Sequence, residues 1–167
     1  MTSNPSESSA SSEVAELDDA SLMIDAVFRF ERAVSRIGNL RLRPWNLTLS
    51  SYTALRILDR EPSLTLAQLA RRCYVRPQTM TRMVTQLEER GWVARRPHPE
   101  SERALCLGLT GEGRAALREM GTEVLRISDT LNSVLGPEDI TGTDRRLRQA
   151  ALAVERELRE ADRGEDR

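Results

Sequence analysis

Apolar and polar positions change period several times along the chain, and each change marks an element. From Leu22 the apolar residues recur at helical spacing, so that Leu22, Met23, Ala26, Val27, Phe30, Ala33, Val34, Ile37 and Leu40 share one arc. Ile24 and Phe28 point elsewhere, and a helix with apolar groups on two sides wants two partners. Pro44 breaks this helix, and LTLSSYTALRILDREP (47 to 62) supplies a shorter one that buries Ala54, Leu55, Ile57 and Leu58 before Pro62.

Next comes SLTLAQLARR, in which Ser63 or Thr65 is placed to cap a short helix with Leu66, Leu69 and Ala70 facing inward. CYVR leads into RPQTMTRMVTQLEERGW, with Pro77 at the first helical position and Gly91 where a left-handed end residue is expected. On that helix Met80, Met83, Val84 and Leu87 lie on one side and Gln78, Arg82, Thr85 and Gln86 on the other. Two short helices joined by a few residues form a helix-turn-helix.

The period then switches to that of strands. WVARR and RALCLGL are short β-prone runs around Pro97, Pro99, Glu100 and Ser101, which predicts a hairpin with a polar tip, the wing of a winged helix. Thr110 is placed to cap a helix carrying Leu117, Met120, Val124, Ile127, Leu131 and Leu135 on one arc, ended by Gly136 and Pro137. A last helix, from about Thr143 to Ala161, puts Leu147, Ala150, Ala151, Val154 and Leu158 on one stripe.

The expected fold is mainly α with a small β-hairpin: a winged helix-turn-helix domain plus long terminal helices that form a dimerisation domain. Residues 1–16, acidic and Ser-rich, are expected to be a disordered tail. An N-terminal dimerisation helix and linker follow over 17–46, the winged helix-turn-helix over 47–110, C-terminal dimerisation helices over 111–162 and a short tail over 163–167. The terminal helices outrun what a compact winged-helix core covers, so their leftover apolar faces need a partner, for which a second copy is expected.

Composition narrows the chemistry. With 39% hydrophobic, 31% charged and only 4% aromatic residues, the 167-residue chain reads as a helical globular protein, not a large β-sandwich. No apolar run approaches the roughly 18 residues of a membrane span, and MTSNPSESSASSEVAE lacks the basic start and apolar core of a signal peptide, so a cytoplasmic location is expected. Cys73 and Cys106 with a lone His98 cannot assemble a conventional four-ligand zinc site. There is no Ser/His/Asp or Cys/His grouping and no Gly-rich phosphate loop, so neither an enzyme nor a cofactor or metal is expected.

A formal net charge of −1 hides an uneven distribution. Residues 71 to 96 hold seven Arg against Glu88 and Glu89, a local charge of +5, whereas residues 1 to 20 carry five acids and no base. A basic middle in a near-neutral chain is a footprint for a local polyanion.

The order helix, helix, helix-turn-helix, wing and long terminal helices, carried by LTLSSYTALRIL, LAQLARRCYVRPQTMTRMVTQLEERGWVARR and LCLGLTGEGR, resembles the MarR family of bacterial transcriptional regulators over roughly residues 22 to 160. The resemblance implies a homodimer with intertwined terminal helices. It further implies binding of each winged helix to double-stranded DNA at a palindromic operator, usually relieved by a small molecule, with repression as the expected mode. Family wings commonly read DPxDRR where this one reads HPESER, so His98 and Ser101 stand where acids are usual and Glu102 where an Arg is usual, while Arg103 is retained.

On this reading Gln78, Arg82, Thr85 and Gln86 reach base edges, since Arg pairs bidentately with guanine, Gln with adenine, and Thr touches a thymine methyl. Arg76, Thr79 and Thr81, nearer the helix start, suit phosphates. Arg95, Arg96 and Arg103 flank the wing, where an Arg gains from the negative potential of a narrow minor groove, and His98 at the tip suits phosphate when protonated. The plain alternatives are a solvated helix face and charges that keep an edge strand soluble. Phe28, Trp45 and Tyr52, with Arg32, Arg36, Arg41 and Arg43, are candidate lining for an effector such as an aromatic acid, a thioester or a toxic compound. Two further readings stay open: a winged helix that docks an acidic protein, and a thiol-based redox sensor in which Arg71 and Arg72 lower the pKa of Cys73.

Overall fold

The computed structural model describes the backbone of residues 5–99 and 101–165, and the side chains of 19–99, 104–136, 138–161 and 163. Helix α1 (Pro5–Arg41) leads through a 3-10 turn at Arg43–Trp45 to α2 (Leu49–Arg60), α3 (Leu66–Arg72) and α4 (Pro77–Glu89). Strands β1 (Val93–His98) and β2 (Ser101–Leu109) follow, and α5 (Gly111–Glu165) ends the described chain. Two compact units result, Met1–Val124 and Leu125–Arg167. The first holds the winged helix-turn-helix arrangement, and the described residues of the second are helical on both sides of a break at Gly136.

The cap residues explain where the short helices begin. Thr65 caps α3 reciprocally: its Oγ1 accepts from the Gln68 amide at 3.3 Å, and the Thr65 amide donates to Gln68 Oε1 at 2.8 Å. That capping box satisfies two donors left bare at a helix start. Thr48 caps α2 by accepting from Ser51 N at 3.2 Å. Pro77 opens α4 with its φ already set for a helix, and Gly91 turns the chain out of it at φ +69°.

The core of the first unit gathers Leu55, Leu58, Leu69, Met80, Val84 and Leu87 from α2, α3 and α4, each at most 2% exposed. The hairpin adds Val93, Leu107 and Leu109, and the first turns of α5 add Leu117 and Met120. β1 and β2 pair antiparallel, with Val93 opposite Leu109 and Arg96 opposite Cys106, and the register slips between Pro97 and His98. The segment before α3 also joins the hairpin: Leu107 N donates to Leu64 O at 2.8 Å and Ser63 N to Leu107 O at 3.3 Å. Ser63 therefore serves this bridge, at φ +76°, and Thr65 alone is the cap.

Two boundaries differ from the sequence expectation. The helical backbone of α1 starts at Pro5, inside the stretch expected to be a tail. Pro5 suits a first helical position, and the Glu and Ala residues among those that follow are good helix formers. Residues 1–4 and 166–167 of the expected tails lie outside the described residues. At the other end no loop separates two helices: Gly136 leaves helical geometry at φ +73°, ψ 159°, and helix resumes directly behind it. Pro137 lacks the N–H that a first helical turn leaves unpaired, so the same two residues that end one helix also start the next.

Within the first unit α1 keeps Leu22, Met23, Ile24, Phe28 and Phe30 exposed, Phe28 by 61%. In the second, Leu147, Leu152, Val154 and Leu158 are exposed. No helix among the described residues is long and apolar enough to cross a membrane.

Candidate nucleic-acid interface

The two sides of α4 separate cleanly. Met80, Met83, Val84 and Leu87 are buried against α2, α3 and the hairpin, whereas Arg76, Gln78, Thr79, Thr81, Arg82, Thr85 and Gln86 are all exposed. Thr85 and Gln86 lie three and four residues beyond Arg82, and Arg82 four beyond Gln78, so the four share one outward face, with Thr85 and Gln86 side by side at its end. Thr81 turns its hydroxyl back to Pro77 O at 3.0 Å, which occupies its proton and leaves oxygen lone pairs outward. The start of α4 lacks a side-chain cap, so amides of its first turn remain available to an anion.

The wing residues divide. Arg96 is exposed on β1, one residue from Arg95 and therefore on the other face of the hairpin. Arg95 is not a bare cation: its Nε and Nη2 donate to the two carboxylate oxygens of Glu88 at 2.9 and 3.3 Å. His98 is half-buried where the strand register slips. The side chain of Arg103 lies outside the described residues.

Three residues hold this surface in place by contacts the sequence does not foretell: Arg90, which sequence reasoning passed over, Arg41, expected among the ligand lining, and Thr110, expected only as the α5 cap. Arg90, the residue that closes α4, donates from Nη1 to Trp45 O and stacks its guanidinium 5.1 Å from the Trp92 ring. It ties the end of α4 to the 3-10 turn after α1. Arg41 Nη1 donates to Glu123 O at 3.2 Å, fastening the end of α1 to α5. Thr110 Oγ1 donates to Gly91 O and accepts from Gly113 N at 2.9 Å, so the α5 cap is also a bolt onto the turn after α4. An Arg at a helix end and a Thr before Gly are the only signals for these contacts in the sequence, and neither names its partner.

The proposed ligand residues do not converge. Phe28 and Arg32 line one surface hollow with Asp25 and Arg29, while Arg36 and Arg43 line another with Ile37 and Leu40. Tyr52 lies in a third, walled by Arg56, Asp59, Arg60, Arg114, Leu117 and Arg118, and Trp45 lines none of the three. Phe28 and Arg36 are eight residues apart on α1, about 12 Å along its axis, so the two hollows open at different levels of the helix. In the Tyr52 hollow the Arg56 guanidinium sits 6.0 Å from the Tyr52 ring.

The cysteines behave as packing residues. Cys106 is buried, with its Sγ 3.6 Å from Pro97 O. Cys73 is partly covered, and burial pushes its thiol up to about 11, the reverse of the depressed value that thiolate chemistry needs. The neighbouring Arg71 and Arg72 do not overcome that desolvation; Arg72 is instead paired with Glu61 at 2.7 Å.

Comparison with known proteins agrees with this arrangement. The MarR family model matches residues 47–105, from the start of α2 into the wing. The HTH-type transcriptional repressor Rv2887 of Mycobacterium tuberculosis is 41% identical over 88 residues, which make up 53% of this chain and 63% of that protein. The aligned region thus spans under two thirds of that relative's length. The crystal structure of the Mycobacterium tuberculosis MarR family protein Rv2887 in complex with salicylic acid is similar at 30% identity and a TM-score of 0.61, over 75% of this chain and 93% of that one. The transcriptional repressor CouR bound to a 23-mer DNA duplex is similar at 27% identity and a TM-score of 0.68, over 75% and 89%. A matching family model over the helix-turn-helix, and a structural likeness that runs through nearly the whole of a relative, make this chain a member of the MarR family.

Proposed function

We propose that this chain is a homodimeric transcriptional regulator that represses from a palindromic DNA operator and is released by a small anionic effector. The observation that carries the reading is the outward face of α4. An exposed row of Gln78, Arg82, Thr85 and Gln86 stands on a helix whose other side is locked into the core, within a segment of local charge +5. A solvated helix face has no need of that charge, of an adjoining hairpin, or of rigid seating; a face that reads bases needs all three.

The roles divide by reach. Arg82 supplies a bidentate contact to guanine, Gln78 and Gln86 pair with adenine, and Thr85 rests on a thymine methyl. Arg76, Thr79 and Thr81 engage phosphates beside the first turn of α4, and Arg96 and Arg103 follow the backbone or minor groove from the wing. A second copy supplies the other half-site and covers the exposed apolar residues of α1 and of the Leu125–Arg167 unit.

Among the hollows, the one beside Tyr52 best suits the effector. It brings four arginines (56, 60, 114 and 118) around an aromatic ring and Leu117, a setting for an aromatic carboxylate. The similarity to a protein crystallised with salicylic acid supports that class. Binding of the chain to the DNA upstream of its own gene, titrated against salt, tests the DNA reading. A steep linear fall of log affinity with log salt is expected, and a shallow one with preference for an acidic protein would favour protein docking instead.

A further inference from the structure

We infer that Glu88 and Arg95 form a strut that sets the angle of the wing on the recognition helix, so that Arg95 positions the wing and does not itself enter a groove. The inference rests on the DNA-binding reading above. Glu88 stands in the last turn of α4 and Arg95 is the third residue of β1. Between them the chain reverses through Arg90, Gly91 and Trp92, where Gly91 N donates to Glu88 O at 2.8 Å and Trp92 N to Leu87 O at 3.0 Å, so the fork adds a side-chain tie farther out along the strand.

The contact is a fork on a carboxylate. Arg95 Nε meets Glu88 Oε1 at 2.9 Å and Nη2 meets Oε2 at 3.3 Å, which fixes orientation as well as distance. An exposed pair of long side chains usually contributes little, because ordering them costs as much as the attraction returns. Here the Glu88 side chain is only 28% exposed and the Arg95 side chain 41%. Their backbones are also anchored, since Leu87 beside Glu88 is fully buried and Val93 in β1 is 3% exposed. Two held ends joined by a two-point contact make a brace.

Charge and strand geometry assign the neighbours. Arg95 and Arg96 project to opposite faces of β1, so the two cannot serve one groove together. The charge on Arg95 is already matched by Glu88, whereas Arg96 is exposed and makes no such fork among the described residues. Glu88 gains as well: without Arg95 it would set a bare carboxylate on the helix that approaches the DNA polyanion.

Hydroxyl-radical footprinting and salt-titrated binding on an operator fragment test this with four proteins: wild type, Glu88→Gln, Arg95→Met and Arg96→Met, each checked for an unchanged unfolding midpoint. Wild type is expected to protect the operator centre and its flanks. Glu88→Gln and Arg95→Met should each weaken binding by about 5- to 10-fold, lose flank protection while keeping the centre, and leave the salt slope unchanged. Arg96→Met should reduce the slope by about 0.9, the value of one lost phosphate contact. Tighter binding and a steeper slope in Glu88→Gln, or a slope reduced by about 0.9 in Arg95→Met, would show Arg95 to be a direct contact and overturn the strut. Intact flanks in Glu88→Gln would overturn it too, while a wild-type chain that protects no sequence would refute the DNA-binding reading itself.

Discussion

Gly113 lies directly against the Trp92 carbonyl, so close that a side-chain carbon built on it would run into that oxygen. The same oxygen accepts from Thr110 N at 3.0 Å, and Thr110 in turn caps the first turn of α5. The start of α5 is thereby pressed onto the base of the wing, with no space for a methyl group. Gly113→Ala should force backbone to move and cost about 1 to 3 kcal/mol, read from urea unfolding. A loss under about 0.5 kcal/mol, ordinary for a surface change, would show that the contact gives way easily.

Neighbouring residues on α4 should differ sharply in stability. Leu87 is fully buried and Gln86 exposed. Leu87→Ala leaves a cavity and should cost about 2 to 5 kcal/mol, while Gln86→Ala should fall within about 0.5 kcal/mol yet weaken operator binding. Thermal and urea unfolding of both variants check this. Equal losses would mean that the outward face of α4 is held by structure rather than left open for a ligand.

Much of this was legible in the sequence because local rules dominated there. Pro77 and Gly91 bound α4, Met80, Met83, Val84 and Leu87 turn inward, and Thr65 caps α3, all as periodicity and cap chemistry predict. What escaped was non-local. The Glu88–Arg95 pair, the reach of Arg90 to Trp45 and the bridge from Leu64 to Leu107 each join residues whose nearness depends on how the chain turns. Phe28, Arg36 and Tyr52 look alike as ligand candidates in a string of letters, yet they line three separate hollows. At Gly136 the expected loop is missing because one glycine with a left-handed φ, followed by Pro137, suffices to break a helix and restart it.

Cys73 should be a slow thiol. Its folded pKa of about 11 lies above the ordinary 9.0, so folding holds the neutral form. That contribution to stability is complete below about pH 9 and is lost as pH rises toward 11. Site-resolved alkylation of the native protein should therefore stay slow at neutral pH and climb only above about pH 9. Rapid labelling with a midpoint below pH 8 would revive the redox-sensor reading.

Removing one cation from the Tyr52 hollow should uncouple the effector from DNA. Arg114 already donates to Leu109 O at 3.1 Å, which leaves Arg56, stacked on Tyr52, as the better-placed arm for a carboxylate. Arg56→Gln should weaken binding of salicylate, used as an aromatic-carboxylate probe, about tenfold in calorimetry while operator affinity stays unchanged. Unaltered salicylate binding would place the effector elsewhere.

The most direct test of the central claim is the ratio of operator to random-DNA affinity, measured at one fixed salt concentration for wild type and Arg82→Ala. If the outward face of α4 reads bases, Arg82→Ala should lose about 1 to 3 kcal/mol of that discrimination with little change in affinity for random DNA. Equal discrimination in both proteins would contradict the assignment of α4 as the reading helix.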